Sequence, residues 1–194
     1  MSQKLLIVGW GRSGKDEAAG FMNDHLGLPY AGSTSWAALP LMAEKLNTHP
    51  QLAWERRHQN RQFWKDSCDE FRRNDPLLLV TRALKTSIAP TYSSLDGRLI
   101  GGAKFGQVVT GVRDAVEIDA AIEKKIFSNI IWIERPGIPQ DPTVTYDASR
   151  ATDLIKNDGD LRRFHCNIVR WALRSSILVQ MSHYATELLL EPTP

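Results

Sequence analysis

The distribution of apolar residues divides the chain into short continuous runs and longer segments in which apolar positions recur every three or four residues. Residues 4–9 (KLLIVG) form the clearest run and are predicted to be a strand buried on both faces of a sheet. A glycine-rich loop follows at residues 9–14, and residues 15–26 are predicted to be a helix. Further strands are predicted at residues 28–31, 107–112, 129–133 and 151–155. Further helices are predicted at residues 35–46, 54–73, 77–84, 113–125 and 160–190, the last as one long helix or a broken pair.

Strands that alternate with helices in this way predict an α/β fold with a mostly parallel sheet. The length of 194 residues suits a single domain, 1–194, with a full hydrophobic core. Two segments are expected to be irregular and mobile: the glycine-rich residues 86–105 and the proline-rich residues 134–150. Right-handed crossovers place the glycine-rich loop at the carboxyl edge of the sheet, where ligands bind in folds of this class.

Composition excludes several classes of protein. No apolar run approaches the roughly 20 residues that a membrane-spanning helix needs, and no signal peptide is visible. The two cysteines, Cys68 and Cys166, make neither a disulfide framework nor a set of metal ligands, which favours a reducing, cytoplasmic setting. The net charge of +2 indicates little about partners. The sequence therefore predicts no membrane contact, and it leaves the oligomeric state open, with a homodimer among the arrangements allowed.

The glycine-rich loop carries the strongest candidate chemistry. Residues 9–15 match the pattern G-x-x-x-x-G-K, with Asp16 where serine or threonine usually stands. Main-chain N–H groups of such a loop turn inward to phosphate oxygens, and the following helix adds the positive end of its dipole. Lys15 supplies a charge for the β- and γ-phosphates, and Asp16 is placed to reach Mg²⁺ directly or through water. The predicted ATP-binding residues of the loop are Gly11, Arg12, Ser13, Gly14, Lys15 and Asp16, and the last two are also predicted to be catalytic.

Two other interpretations of this loop compete with phosphate binding. A glycine-rich turn that only caps a structural helix occurs by chance, but the position between a buried strand and a helix favours function. The glycines also fit the dinucleotide fingerprint G-x-G-x-x-G at residues 9–14. The lysine that follows at once, and the lack of a clear acidic residue at the end of the second strand, argue against that fingerprint.

An arginine-rich helix is the candidate for recognition of an acceptor. Spacings of three and four residues bring Arg61, Trp64 and Arg72 near one face of the helix predicted at residues 54–73. A nucleotide acceptor needs cations for its phosphate and an aromatic or apolar surface for its base. Arg61 and Arg72 are therefore candidates for phosphate contact and Trp64 for base packing. The alternative is a solvated charged face with Trp64 in the core.

Charged and polar residues near the ends of other predicted elements complete the candidate site. Arg113 follows a buried strand at the carboxyl edge of the sheet and is predicted to bind the acceptor and to be catalytic, with Glu117 one helical turn away as its partner. Arg135 and Arg150 flank the proline-rich segment, either as lid residues or as loop charges in solvent. Asn157 belongs to a turn that caps the last helix, and it is also a candidate for contact with the donor's adenine.

Several motifs occur together and in a fixed order over residues 4–165. They are GRSGKD at 11–16, the arginine-rich helix with its terminal Asp75-Pro76, VVTGVRDAVE at 108–117, IWI at 131–133, DPT at 141–143 and DLIKNDG at 153–159. This combination resembles bacteriophage deoxynucleoside monophosphate kinases and their relatives in the adenylate-kinase-like P-loop group, which includes dephospho-CoA kinase.

The resemblance implies a three-layer α/β/α P-loop NTPase fold and a kinase that uses ATP and Mg²⁺ to phosphorylate a deoxynucleoside monophosphate. It assigns the donor to Gly14, Lys15 and Asp16, and the acceptor to Arg61, Arg72 and Arg113. One departure concerns the metal, because such kinases often end the third strand in an acidic residue and this chain has Gly111 there. Asp16, or an acid of the following helix such as Asp114 or Glu117, would then hold Mg²⁺.

Two alternative functions stay open on the sequence alone. Some phages that hypermodify their DNA carry related kinases that phosphorylate 5-hydroxymethyluracil within DNA. For such an enzyme, the arginine-rich helix and residues 86–105 would form a groove for phage DNA containing a modified base, in the host cytoplasm. The other alternative is a P-loop protein that binds nucleotide as a non-catalytic regulator.

Overall fold

The computed structural model describes residues 3–85, 107–177 and 179–190 of the chain. The segment predicted to be mobile at residues 86–105 lies outside the described residues. Within the described residues, no helix combines the length and the apolar character that crossing a membrane requires.

Five parallel strands form one sheet. They are β1 (Lys4–Val8), β2 (Tyr30–Ser33), β3 (Gln107–Thr110), β4 (Asn129–Glu134) and β5 (Asp153–Lys156). Their order is β2-β3-β1-β4-β5, so β1 lies at the centre, with Lys4 opposite Gln107 on one side and Leu5 opposite Asn129 on the other. The chain runs to one side of β1 for β2 and β3 and to the other side for β4 and β5. Such a reversal opens a crevice at the carboxyl ends of the strands, directly beyond β1.

Helices cover both faces of the sheet. They are α1 (Lys15–Leu26), α2 (Thr34–Lys45), α3 (Pro50–Glu55), α4 (Arg61–Arg72), α5 (Leu78–Lys85), α6 (Ala115–Glu123), α7 (Leu161–Arg174) and α8 (His183–Glu187). Leu5 and Ile7 of β1 pack in the apolar cluster formed with α1 and α7. Leu6 and Val8 point the opposite way, into the cluster that contains residues of α5 and α6. This α/β arrangement is compatible with a three-layer α/β/α fold, and the continuous apolar run of β1 follows from burial on both faces.

Two predicted helices are interrupted. The helix predicted at residues 54–73 is wrong, because α3 ends at Glu55, a short 3₁₀ turn follows, and α4 starts only at Arg61. Asn60 leaves the helical conformation, with φ −114° and ψ 39°. At the carboxyl end of the chain the broken pair is confirmed, since α7 stops at Arg174 and Ser176 has a positive φ of 52°.

The proline-rich segment at residues 134–150 is largely irregular, as predicted, but part of it is fixed to the rest of the domain. The buried Tyr146 donates its hydroxyl hydrogen bond to the Val112 carbonyl at 2.7 Å. The Thr145 amide donates to the Arg113 carbonyl at 2.9 Å. These contacts hold the second half of the segment against the start of α6, so they give no support to a lid that swings as one piece.

Candidate functional site

The loop between β1 and α1, residues 9–14, is called the glycine loop below, and its backbone requires glycine at two positions. Gly9 has φ 142° and Gly14 has φ 103°, values that residues with a side chain rarely adopt. A Cβ on Gly9 would also lie 2.7 Å from the Ile133 carbonyl oxygen, and one on Gly14 would lie 2.6 Å from Asn157 Nδ2. The loop is therefore packed closely against β4 and the turn after β5, and both glycines are needed for its shape.

Lys15 closes the glycine loop on itself. Its Nζ donates to the carbonyl oxygens of Gly9 at 3.0 Å and Trp10 at 2.6 Å. Burial lowers the pKa of Lys15 to about 8, with a further contribution from the positive charge of Arg113. Ser13 Oγ is buried and has no hydrogen-bond partner among the described residues. The ammonium group is thus held by neutral carbonyls beside another cation, an arrangement that an anion would stabilise.

Asp16 lies at the start of α1, where the ends of β2 and β3 approach it. Its Oδ1 accepts a hydrogen bond from Thr110 Oγ1 at 3.3 Å, and Thr110 Oγ1 also lies 2.8 Å from the Tyr30 hydroxyl. Burial raises the pKa of Tyr30 to about 12, so this hydroxyl is neutral near physiological pH. The exposed carboxylate of Asp16 is consequently held near the carboxyl end of β3, where an acidic residue was expected and Gly111 occurs instead.

The absence of an acid at position 111 has a steric explanation. Gly111 has φ 90°, and a Cβ there would lie 3.0 Å from Thr34 Oγ1 and 3.2 Å from Ser33 Cβ. The Gly111 carbonyl also accepts a hydrogen bond from Thr34 Oγ1 at 2.7 Å. The start of α2 therefore occupies the space that a carboxylate side chain at position 111 would need.

A cavity of about 170 Å³ opens between α4, α5 and the start of α6. All four predicted acceptor residues line it: Arg61, Trp64, Arg72 and Arg113. Four other charged residues that the sequence analysis left unassigned as acceptor ligands line it as well: Arg57, Lys65, Asp69 and Asp114. Trp64 is only 7% exposed and packs with apolar residues of α2 and α5, so it belongs to the core and to the cavity wall at once.

Arg72 forms a buried ion pair with Glu117, so the predicted pairing of Glu117 with Arg113 is wrong. Arg72 Nη1 lies 2.7 Å from Glu117 Oε2, and the Glu117 side chain is fully buried. Arg72 Nη2 lies 2.5 Å from Asp69 Oδ1 and 3.9 Å from Asp114 Oδ2. Burial raises the pKa of Glu117 to about 7, although the charge of Arg72 acts in the opposite direction.

This environment bears on two predicted roles. Three carboxylates surround Arg72, so the site favours a phosphate less than the arginine alone would suggest. Glu117 is inaccessible and engaged by Arg72, which gives no support to its predicted role as a metal ligand. Among the described residues, no three His, Cys, Asp or Glu side chains are grouped to hold a metal ion.

Arg113 connects the cavity to the glycine loop through Asp141, a residue for which no role was predicted. Arg113 Nη1 lies 2.9 Å from Asp141 Oδ2 and also donates to Thr143 Oγ1. Burial raises the pKa of Asp141, but hydrogen bonds from Thr143 and the charge of Arg113 outweigh this effect and lower it to about 2. Asp141 Oδ2 lies 2.8 Å from the position that a Cβ on Gly11 would take. The DPT motif at residues 141–143 was the one sequence signal for this contact.

The two predicted lid arginines occupy different places. Arg135 follows β4 and donates from Nη1 to the Arg12 carbonyl at 3.4 Å, which places it beside the glycine loop. Arg150 instead pairs with Asp119 of α6, with 2.9 Å between Nε and Oδ1. Arg150 precedes the amino end of β5, whereas the glycine loop lies at the carboxyl edge, so this position gives no support to a lid role and fits a loop charge instead.

Asn157 supports the glycine loop and is not directed at a ligand. Its Nδ2 donates to the Ser13 carbonyl at 2.8 Å, and the residue is 9% exposed. Its backbone N–H donates to the Glu134 carbonyl at 2.7 Å. The predicted contact with adenine therefore gains no support, because the side chain amide is already bound to the loop.

No model of a known protein family matches this chain. No curated protein matches it either.

Proposed function

We propose that this protein is an ATP-dependent kinase that transfers the γ-phosphoryl group of ATP to a deoxynucleoside monophosphate. One observation supports this proposal more than any other: a glycine loop with a lysine at its end lies next to a cavity lined by several arginines. Arg113 lies between the two, since it lines the cavity, pairs with Asp141 beside Gly11, and is close enough to Lys15 to lower its pKa.

The donor phosphates would bind at the glycine loop. The amino end of α1, which has no side-chain cap, favours an anion there, as at other helix starts preceded by glycine-rich turns. Lys15 Nζ would leave the carbonyls of Gly9 and Trp10 and bond to a phosphate oxygen. A bound anion restores the pKa that burial lowers, so the interaction is strongest while Lys15 is protonated.

Asp16 fits the role of ligand to a Mg²⁺ ion that arrives with ATP. Mg²⁺ is usually held by one or two carboxylates together with substrate phosphates and water, so a three-acid site is not required. Asp16 offers an exposed carboxylate beside Lys15, and Thr110 orients one of its oxygens. Mg²⁺ would supply charge neutralisation for the transferred phosphoryl group.

The acceptor phosphate would bind to Arg57 and Arg61 in preference to Arg72. Arg57 stacks on Trp54 at 3.7 Å from its ring centroid and donates to the Trp54 carbonyl, which fixes its guanidinium in the cavity wall. Arg61 is exposed and forms no ion pair within the described part of the chain. Two cations that line the same cavity suit a phosphomonoester, and the adjacent Trp64 offers an apolar surface for the base.

The reaction needs positioning more than acid–base chemistry. An oxygen of the acceptor phosphate is already deprotonated near pH 7, so it attacks the γ-phosphorus without giving up a proton. The new P–O bond forms as the bond to the β-phosphate oxygen breaks, and ADP leaves. Arg113, at the junction between loop and cavity, would stabilise the charge on the transferred group.

A transfer assay tests the proposal. Purified protein receives γ-labelled ATP and Mg²⁺ with each free dNMP, dephospho-CoA, unmodified DNA or DNA containing 5-hydroxymethyluracil, and product masses identify the acceptor. We expect label in a deoxynucleoside diphosphate. Lys15→Met should abolish transfer, whereas Lys124→Met, at the exposed carboxyl end of α6, should not. Label only in DNA would favour the DNA kinase, and ATP binding with no transfer to any acceptor would favour the regulator.

A further inference from the structure

Two hydroxyl groups connect Asp16 to the strands β2 and β3. Side chains alternate along β3, so Val108 and Thr110 face α1, whereas Val109 faces the opposite side of the sheet. Tyr30 lies opposite Val108 in the neighbouring strand, and its hydroxyl reaches Thr110 Oγ1 at 2.8 Å. The hydroxyls of Tyr30 and Thr110 and the carboxylate of Asp16 therefore form a row on the α1 face of the sheet.

The hydrogen atoms of this row can be placed by elimination. A carboxylate only accepts hydrogen bonds, so the Thr110 hydroxyl donates to Asp16 Oδ1, 3.3 Å away. This uses the single proton of Thr110, and the Tyr30 hydroxyl is consequently the donor in its own contact with Thr110. Thr110 is fully buried, so water does not compete for its hydroxyl. A hydroxyl that accepts one hydrogen bond becomes a better donor of the next, so Tyr30 strengthens the contact between Thr110 and Asp16.

The pair formed by Asp16 and Thr110 reverses a common division of roles. In many P-loop NTPases a hydroxyl of the loop and a carboxylate supplied by a strand together hold Mg²⁺. Here the carboxylate follows the glycine loop at position 16, and the hydroxyl comes from Thr110, the last residue of β3. Gly111 faces the start of α2 and not Asp16, so position 110 is the one that meets the loop. The same two chemical groups are thus brought together, with the elements that supply them exchanged.

Building on the function proposed above, we infer that Tyr30 and Thr110 are positioning residues for Asp16 as a ligand of Mg²⁺. Thr110 holds Oδ1, and within the described part of the chain no other group donates a hydrogen bond to Asp16, so Oδ2 stays available for the metal. Tyr30 fixes the direction in which the Thr110 hydroxyl points. Partners of this kind keep a ligand in one orientation, and their loss typically lowers metal affinity by about 10- to 100-fold.

Calorimetric titration with ATP, with Mg²⁺ present and with Mg²⁺ removed by a chelator, measures how much the metal tightens nucleotide binding. Thr110→Val removes the hydroxyl and keeps nearly the same shape, and we expect the tightening by Mg²⁺ to fall roughly 10-fold. Tyr30→Phe should reduce it by roughly 3- to 10-fold, the effect of one hydrogen bond. The affinity for metal-free ATP should not change in either variant, because neither hydroxyl bonds to the glycine loop.

Three controls separate positioning from a structural role, with urea unfolding to report the stability of each variant. Thr110→Ser keeps a hydroxyl and should retain most of the tightening by Mg²⁺. Tyr184→Phe should retain all of it, because the hydroxyl it removes contacts His165, and the ring lies beside His25 in the last turn of α1. In an Asp16→Asn background, Thr110→Val should have no further effect on the tightening, since the carboxylate that the hydroxyl positions is gone.

Two results would overturn the positioning role. One is an effect of Mg²⁺ that is absent in the wild type, or that is the same in Thr110→Val and Tyr30→Phe as in the wild type. The other is an equal loss of affinity for ATP with and without Mg²⁺, which would mean that the hydroxyls only shape the loop. Either result leaves the proposed kinase activity standing, whereas a wild-type protein that binds no ATP under either condition overturns both.

Discussion

The lowered pKa of Lys15 leads to a quantitative prediction for ATP binding. In the free protein its pKa is about 8, because the ammonium group is buried and faces Arg113. A bound polyphosphate should return the value to at least the ordinary range near 10.4. Binding then takes up a proton whenever Lys15 is neutral in the free protein, so affinity is full well below pH 8 and declines as pH rises through that value. Between about pH 7.5 and pH 9.5, linkage predicts a decrease of roughly 25-fold in the association constant.

Calorimetric titration with Mg²⁺-ATP in buffers of different ionisation enthalpy measures both the affinity and the proton uptake. This pH range lies above the second pKa of a phosphate ester, near 6, so the ligand itself contributes little. Lys15→Arg is the matched control, since a guanidinium stays charged throughout the range, and its affinity should not fall. Equal pH dependence in the wild type and in Lys15→Arg would refute the reasoning.

Two further predictions concern stability. Arg72→Met should lower the free energy of unfolding at about pH 8 by about 1–1.5 kcal/mol, because Glu117 loses its partner and must bind a proton, which costs about 1.4 kcal/mol per pH unit above its pKa of about 7. The loss should shrink as pH falls toward 7, and adding Glu117→Gln should recover most of it, both measured by urea unfolding; a loss independent of pH would contradict the pairing. Gly14→Ala should abolish ATP binding and lower the free energy of unfolding by about 1–3 kcal/mol. Position 14 has a φ of 103°, and the new Cβ would lie 2.6 Å from Asn157 Nδ2. Gly20→Ala is the control on α1, where a Cβ meets open space, and it should raise the free energy of unfolding by about 0.5–1 kcal/mol. An equal decrease in the free energy of unfolding in both variants would contradict this reasoning.

Local signals in the sequence were sufficient for much of the fold. The range predicted for α1, residues 15–26, is the observed one, since the glycine loop and Gly27, with φ 63°, mark its two ends. The strands β1 and β4 were found because apolar runs buried on both faces leave a clear pattern. The signal was weaker for β2, which starts two residues later than predicted, and for β5, in which Ile155 alone is buried. The break at Asn60 was missed, because residues on both sides of it keep the same helical spacing of apolar and charged positions.

The candidate site was predictable as a set of residue types but not as a set of pairs. Arg61, Trp64, Arg72 and Arg113 do line one cavity, which the three- and four-residue spacing within α4 and the end of β3 made foreseeable. The predicted partner of Glu117 was wrong. The sequence favours Arg113, one helical turn away, whereas the actual partner, Arg72, is 45 residues away in the chain. Contacts of that range depend on how α4 packs against α6, which no local pattern encodes.

Asp141 shows a second limit of local reasoning. It lies in an irregular, proline-rich segment, where periodicity gives no information about the direction of a side chain. Its contact with Arg113 and with the glycine loop arises because Tyr146 and Thr145 tie the same segment to the residues just after β3. A motif can mark such a residue, but only the folded chain shows which groups it joins.

The most direct measurement is a crystal structure of the protein with Mg²⁺ and a non-hydrolysable ATP analogue. We expect the β- and γ-phosphates to lie within the glycine loop, with Lys15 Nζ about 3 Å from a phosphate oxygen and no longer bonded to Gly9 and Trp10. An ordered analogue bound elsewhere, with Lys15 still closing the loop on its own carbonyls, would contradict the assignment of the loop as the donor site.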